Sequence, residues 1–308
     1  MKIDHAPLPP AAAIVPPGRA PSCRRRLFWT GGVALALSGA FGIPLAKLMG
    51  FALDSDLYSH LPLIPVLAGY FGWGAWNENR PLLRTDPWVA LAPAAAGVWL
   101  LVHPILSPAS EPGDAVTEHA RLTLAYVLLL VAILAGGLGR HALRSLAFPA
   151  LLLLFLVPMP TRLLDAVEFF LQHGSAETAQ LYFQLAGTSH FRSGLIFELP
   201  GISLRVAPEC SGIHSSLALL ITSLVAGKLF LRSLRWRVVL ALAVVPLALL
   251  RNGLRIFVIG FLCVHLGPEM IHSWVHRQGG PLFFALSLIP FGLLLALLWR
   301  RERRNPAP

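Results

Sequence analysis

A chain of 308 residues that is 56% hydrophobic and only 13% charged falls far short of the roughly 25% charged residues usual in soluble domains. A charge at the centre of a membrane helix costs about 2.5–3.5 kcal/mol on insertion scales, so the deficit points to a bilayer as solvent. The net charge of +10 comes from short basic clusters between apolar runs, the pattern of membrane loop anchors, which argues against nucleic acid as a partner.

Residues 1–26, rich in Pro and Ala and ending in Arg24, Arg25 and Arg26, read as a disordered cytoplasmic tail. The apolar run that follows has no small-residue cleavage site and reads as a retained first helix. A hydrocarbon core of about 30 Å takes about 20 apolar residues to cross. Spans are expected at 27–49, 61–77, 88–106, 120–138, 145–159, 212–231, 236–266 and 281–299. The second and fifth are short and carry prolines, and 236–266 is long enough to tilt or to project beyond the membrane.

Basic residues set the orientation. Arg24–Arg26, Arg80 with Arg84, Arg140 with Arg144, the group Lys228, Arg232, Arg235 and Arg237, and Arg300, Arg301, Arg303 and Arg304 all fall on one side. Asp54, Asp56, Glu111, Asp114 and Glu118 fall on the other. An all-α integral membrane protein with eight crossings follows. Residues 27–300 form one polytopic domain and both termini, including the tail 301–308, are cytoplasmic. A long outer loop, 160–211, precedes the sixth helix. Its first half, Arg162 to Ala186, has helical spacing and reads as an interfacial helix. Its second half places Leu195–Leu199 and Ile202–Val206 on either side of Pro200-Gly201, a small hairpin.

Ionisable groups near membrane helices are expensive and call for a reason. Cys210 stands where the outer loop enters the sixth helix, and a thiol at a helix N-terminus feels the positive end of the dipole that favours the thiolate. The bland alternatives are a buried structural cysteine or a disulfide with Cys263. Arg251 and Arg255 share a helix face around Asn252 and Gly253. Counted from Trp236 at the inner interface, they lie roughly 22–28 Å across, near the depth of Cys210. They fit an oxyanion or a substrate carboxylate, or they snorkel to headgroups. His265, His272 and His276 lie outside, between the last two helices. Each is suited to pass a proton from a thiol to a leaving amine, and each reads equally as an ordinary loop histidine. Glu209 reads as a carboxylate that orients a basic partner or as a plain loop residue. No metal-ligand pattern is seen among Cys23, Cys210 and Cys263, and neither metal nor cofactor is expected.

A nucleophile, a cation and a base from three consecutive helices at one depth follow the logic of cysteine hydrolases and transferases. A transporter or flippase, or a non-catalytic assembly factor in which the same residues only bind, is the alternative. Transporters usually hold their polar groups at the midplane of inverted repeats, and no repeat is apparent here.

The segment Pro208-Glu209-Cys210-Ser211-Gly212-Ile213-His214-Ser215-Ser216 resembles the cysteine motif of the exosortase/archaeosortase family, with His214 where that motif usually has Arg. Asn252-Gly253-Leu254-Arg255 is similar to its Asn-x-x-Arg motif, and His276-Arg277-Gln278-Gly279 resembles its His motif before the last helix. Asp56-Leu57-Tyr58-Ser59-His60-Leu61, with Pro62 and Pro65, looks like the family's early Tyr-Ser-His segment, with Leu61 in place of the usual Gly. The resemblance implies a membrane-embedded cysteine protease/transpeptidase with its catalytic part in 195–280. It implies Cys210 as nucleophile, Arg255 as stabilising arginine and His276 as general acid/base, with Arg251 and Asn252 beside Arg255, His272 as the rival base, and Glu209 and His214 as secondary candidates. The implied partners are exported proteins with a C-terminal signal of short motif (such as Pro-Glu-Pro), helix and basic tail, the lipid bilayer, and exopolysaccharide machinery. The implied location is a bacterial inner membrane with the site on its outer side.

Overall fold

The computed structural model describes residues 21–79, 86–106, 114–208, 211–274 and 279–304. The expected disordered tail up to residue 20, Arg80 with Arg84, and Glu111 lie outside them. What is described is almost entirely helical. Five helices are single stretches long and apolar enough to cross a membrane, and two bent pairs raise the number to seven. A further apolar helix of 17 residues, Leu63–Asn79, is about 25 Å long, slightly short of a full core. Eight crossings are expected from the sequence, and five to seven spans are found among the described residues.

The chain divides into two compact units, one of residues up to Phe51 with Leu61–Pro158, the other of Ala52–His60 with Met159 onward. In the first, α1 (Pro21–Ala40) and α2 (Gly42–Asp54) meet at 63° around Phe41. They are followed by α3 (Leu63–Asn79), α4 (Pro87–Leu106), α5 (Ala115–Leu138), α6 (Arg140–Ser145) and α7 (Ala147–Leu153). Asp114 caps α5 by accepting the Thr117 amide, 3.1 Å, as expected where acidic side chains meet orphan amides. Close approach to α5 depends on small residues. A methyl group at Gly97 of α4 would meet Leu129, and one at Gly137 would meet Thr30 of α1. Phe41, Tyr126 and Val127 are buried together, with Ser38 Oγ bonded to Tyr126 OH at 3.0 Å.

The expected fifth span, 145–159, differs. It contains α7 and a 3-10 turn, Leu154–Leu156, ten helical residues or about 15 Å, too little to cross. The first long helix of the second unit, α8 (Thr161–Leu185), covers the helix expected over Arg162 to Ala186, and with Ala147–Leu156 it makes an apolar pair bent by 94°. A three-stranded antiparallel sheet follows, β1 (Phe191–Ser193), β2 (Ile196–Leu199) and β3 (Ile202–Arg205) in that order. Next come α9 (Ile213–Phe230), α10 (Leu234–Leu242), α11 (Val244–Leu266), a 3-10 turn (Pro268–His272) and α12 (Gly280–Arg304). The hairpin expected around Pro200-Gly201 is β2–β3, with Leu199 opposite Ile202 and Gly201 at φ 84°. Proline then glycine at the two turn positions supplies the fixed φ and the positive φ that such a turn asks for.

α8 lies along α11 in parallel. Gly174 meets Leu249, Thr178 meets Gly253, and Phe183 meets Gly260, so both chains ascend together. The buried stripe of α8, Leu171, Ser175, Ala179 and Phe183, repeats every four residues, as one helix face requires. The sheet presses its apolar face, Phe197, Leu199 and Leu204, onto Phe183 of α8 and onto Ile256, Ile259 and Cys263 of α11. Cys263 is a free, buried thiol, which removes the disulfide alternative. At the other end of the unit, the Glu302 carboxylate of α12 accepts the amides of Arg232 (2.8 Å) and Ser233 (2.6 Å), fastening α12 to the turn between α9 and α10.

A methyl group at Gly253 would fall on Thr178 Oγ1 and within 2.9 Å of the Ala179 amide nitrogen. Gly253→Ala therefore forces α8 and α11 apart and should cost about 2 kcal/mol, the usual range for overpacking. Gly69→Ala, with nothing within 4 Å, should cost almost nothing. Thermal unfolding of the detergent-solubilised chain compares the two.

Candidate active site

The site is assembled where α9 begins. Gly212 adopts a left-handed conformation, φ 75° and ψ 18°, which a glycine takes without the steric penalty of other residues. Its carbonyl is a meeting point for donors. It accepts the Ser216 amide (3.0 Å), the Ser216 hydroxyl (2.7 Å), the Ser215 hydroxyl (3.1 Å) and Nη2 of Arg251 (3.1 Å). Arg251 Nη2 also reaches Ser216 Oγ at 3.3 Å. On the preceding side, the Ser211 amide donates to the Pro208 carbonyl at 2.9 Å, across Glu209 and Cys210. Ser211 is buried and its hydroxyl oxygen accepts the Ile213 amide, 3.4 Å. The first turn of α9 is thus pinned on both sides of its elbow.

α11 supplies the opposing wall. Arg251 and Asn252 are 6% and 2% exposed, so neither snorkels into water. Asn252 Nδ2 donates to Ser175 Oγ of α8, 3.0 Å, and Ser175 is fully buried. The three helices α8, α9 and α11 converge here. Thr178 of α8 adds a hydroxyl bond to the Leu249 carbonyl, 2.9 Å, and Gln172 reaches the Val206 carbonyl at 3.5 Å. Ser175, Thr178 and Ser216 escaped the sequence reading, because a serine or threonine in a helix ordinarily bonds its own preceding turn. The signal for Ser175 and Thr178 was the stretch Gly174 to Ala179, small residues apart from Glu177, facing Gly253.

Arg255 lies one turn above Arg251, half-buried, and close enough for the two guanidinium groups to repel. His214 is exposed on the first turn of α9, and the carboxylate of Asp56 acts electrostatically on it. Asp56 belongs to the short segment Ala52–His60 that folds with this unit. Tyr58 in that segment is buried and its hydroxyl donates to the Met159 carbonyl, 3.3 Å. The Tyr-Ser-His stretch is therefore built into the same unit as Gly212 and Arg251. His272 is exposed on the turn after α11, and no described contact joins it to Arg251 or Gly212. His265 is exposed and stacks near Phe261. Glu209, Cys210 and His276 lie outside the described residues. Among the described residues no group of His, Cys, Asp and Glu has the arrangement of a metal site.

The outer strands β1 and β3 pair with no further strand among the described residues, and open strand edges are not tolerated in lipid hydrocarbon. The stretch of α11 under the sheet runs from Ile256 to Cys263. A crossing of about 20 residues that starts at Leu234 ends near Gly253. By length alone, Arg251, Asn252 and Arg255 thus fall at about the end of such a crossing.

A positive, donor-rich rim beside a helix N-terminus can steady a thiolate and an oxyanion. A protein-family model described as transmembrane exosortase matches residues 28–301. No curated protein and no solved structure matches the chain.

Proposed function

We propose that this chain, which belongs to the transmembrane exosortase family, is a cysteine endopeptidase and transpeptidase that removes C-terminal sorting signals from exported proteins. Membership makes it a multi-pass membrane protein of the protein-sorting protease/transpeptidase kind. The observation that carries the finer reading is the junction of Gly212 with Arg251. It joins the residue two places after Cys210 to the helix that bears Arg255.

In this reading the substrate's own helix docks among the enzyme's helices and presents its motif at the outer face of the inner membrane, both enzyme termini being cytoplasmic. The Cys210 thiolate attacks the scissile carbonyl carbon. Arg255 balances the negative charge that gathers on the carbonyl oxygen. As the C–N bond breaks, His276 gives a proton to the leaving amine, and the new carboxyl end is left as a thioester on Cys210. Water, or an acceptor amine, then attacks the thioester and returns the sulfur as thiolate. Exopolysaccharide machinery, an implied partner, would be the setting and takes no part in these steps.

The test is co-expression of a reporter that ends in a Pro-Glu-Pro motif, a hydrophobic helix and an Arg-rich tail. The wild-type chain should shorten it. Cys210→Ala should insert normally and leave it full length, a loss below detection. Shortening at the wild-type rate by Cys210→Ala would overturn the reading.

A further inference from the structure

We infer that Arg251 is a positioning residue: its buried guanidinium holds the left-handed elbow at Gly212, and through it the orientation and reactivity of the Cys210 thiol, without touching substrate. The inference rests on Cys210 being the nucleophile.

Four observations carry it. Arg251 is almost wholly buried and spends one nitrogen, Nη2, on the Gly212 carbonyl and the Ser216 hydroxyl. Nη1 is buried too, with no partner among the described residues, so this side chain is packed against α9 and not turned to an open surface. Gly212 is shaped around it: a Cβ there would stand 3.1 Å from Arg251 Nη2 and 2.9 Å from Asn252 Cγ and Oδ1. The chain between Pro208 and Ser211 is closed by its own hydrogen bond. Cys210 stands two residues before Gly212, so it can lie no more than about 7.6 Å away, Cα to Cα, across two trans peptides. Whatever moves the elbow moves the thiol.

The electrostatics point the same way. Arginine keeps its charge in proteins, and no described carboxylate forms an ion pair with Arg251. The charged group that acts on it is Arg255 on α11, and on α9 His214 feels the carboxylate of Asp56. A fixed positive charge therefore adds to the N-terminal end of the α9 dipole, where an anion is favoured. The two arginines then divide the work, Arg251 at the elbow before α9 and Arg255 at the reacting carbonyl.

Iodoacetamide labelling of Cys210 in membranes, followed by peptide mass spectrometry at pH 7, tests this without any substrate. Arg251→Ala should slow labelling at least tenfold, and Arg251→Lys, which keeps the charge and one donor, should recover part of the rate. In reporter assays both should lower kcat and leave KM unchanged. Ser216→Ala keeps the guanidinium and removes one of its anchors. It should slow labelling about threefold, and it decides the matter if Arg251→Ala does not insert. Wild-type labelling in folded Arg251→Ala, or in Ser216→Ala, would overturn the proposal, as would a raised KM with unchanged kcat. A wild-type chain that leaves the reporter intact would instead sink the protease reading while the labelling contrast stood.

Discussion

Gly212→Ala should lower reporter processing about a hundredfold while leaving the chain in the membrane. Two costs meet at this position. An alanine at φ 75° carries the left-handed penalty of about 1–2 kcal/mol. Its methyl group would also press on Asn252 and Arg251, both of them buried and both held by hydrogen bonds, so neither can give way cheaply. The first turn of α9 must shift instead. A displacement of about 1 Å in a reacting group is enough for a hundredfold loss. Processing rate and thermal unfolding measured on the same preparation separate the effects, with a modest fall in stability beside a far larger fall in rate. Processing within a few-fold of wild type would show that the elbow does not govern the thiol.

Arg255→Ala should cost more, about 100–1,000-fold in kcat, equal to about 2.7–4 kcal/mol, the magnitude that attends removal of one oxyanion donor. Unlike Arg251, Arg255 is only half-buried, and it stands one turn nearer the C-terminal end of α11. Arg255→Lys should recover little, because a single ammonium cannot reproduce the planar fork of the guanidinium. Iodoacetamide labelling of Cys210 should remain close to wild type in Arg255→Ala. This contrasts with Arg251→Ala, and single-turnover kinetics with the reporter would report the chemical step alone. An unchanged kcat with a raised KM would move Arg255 from the oxyanion to the binding of a substrate carboxylate.

Much of this arrangement is legible from residue order. Apolar runs about 20 residues long mark the crossings because hydrocarbon admits little else. The count from Trp236 puts Arg251 at the depth expected for the start of the sixth helix, and the Gly212 carbonyl at that start meets Arg251 at 3.1 Å. Pro200-Gly201 announces the hairpin by backbone chemistry alone. What stays hidden is tertiary. α8 carries Glu168, His173, Glu177 and Gln180 among its apolar residues, so it reads as a surface helix. Only Gly253 and Gly260 on its neighbour, some 75 residues on, show that its small-residue face is buried against α11. The span 145–159 is apolar enough to suggest a crossing, yet its helix stops at Leu156 before Pro158 and Pro160, as residues preceding proline disfavour the helical region. The segment Asp56-Leu57-Tyr58 sits far from Met159 and His214 in sequence, and no local periodicity reports that the three fold together.

The most direct test of the central claim is capture of the acyl-enzyme. The wild-type chain is mixed with the signal-bearing reporter, quenched in acid and digested, and Cys210 is examined by mass spectrometry. The account predicts the truncated reporter C-terminus joined to Cys210 through a bond that hydroxylamine cleaves. Cleaved reporter without any such adduct, together with undiminished cleavage by Cys210→Ala, would contradict it.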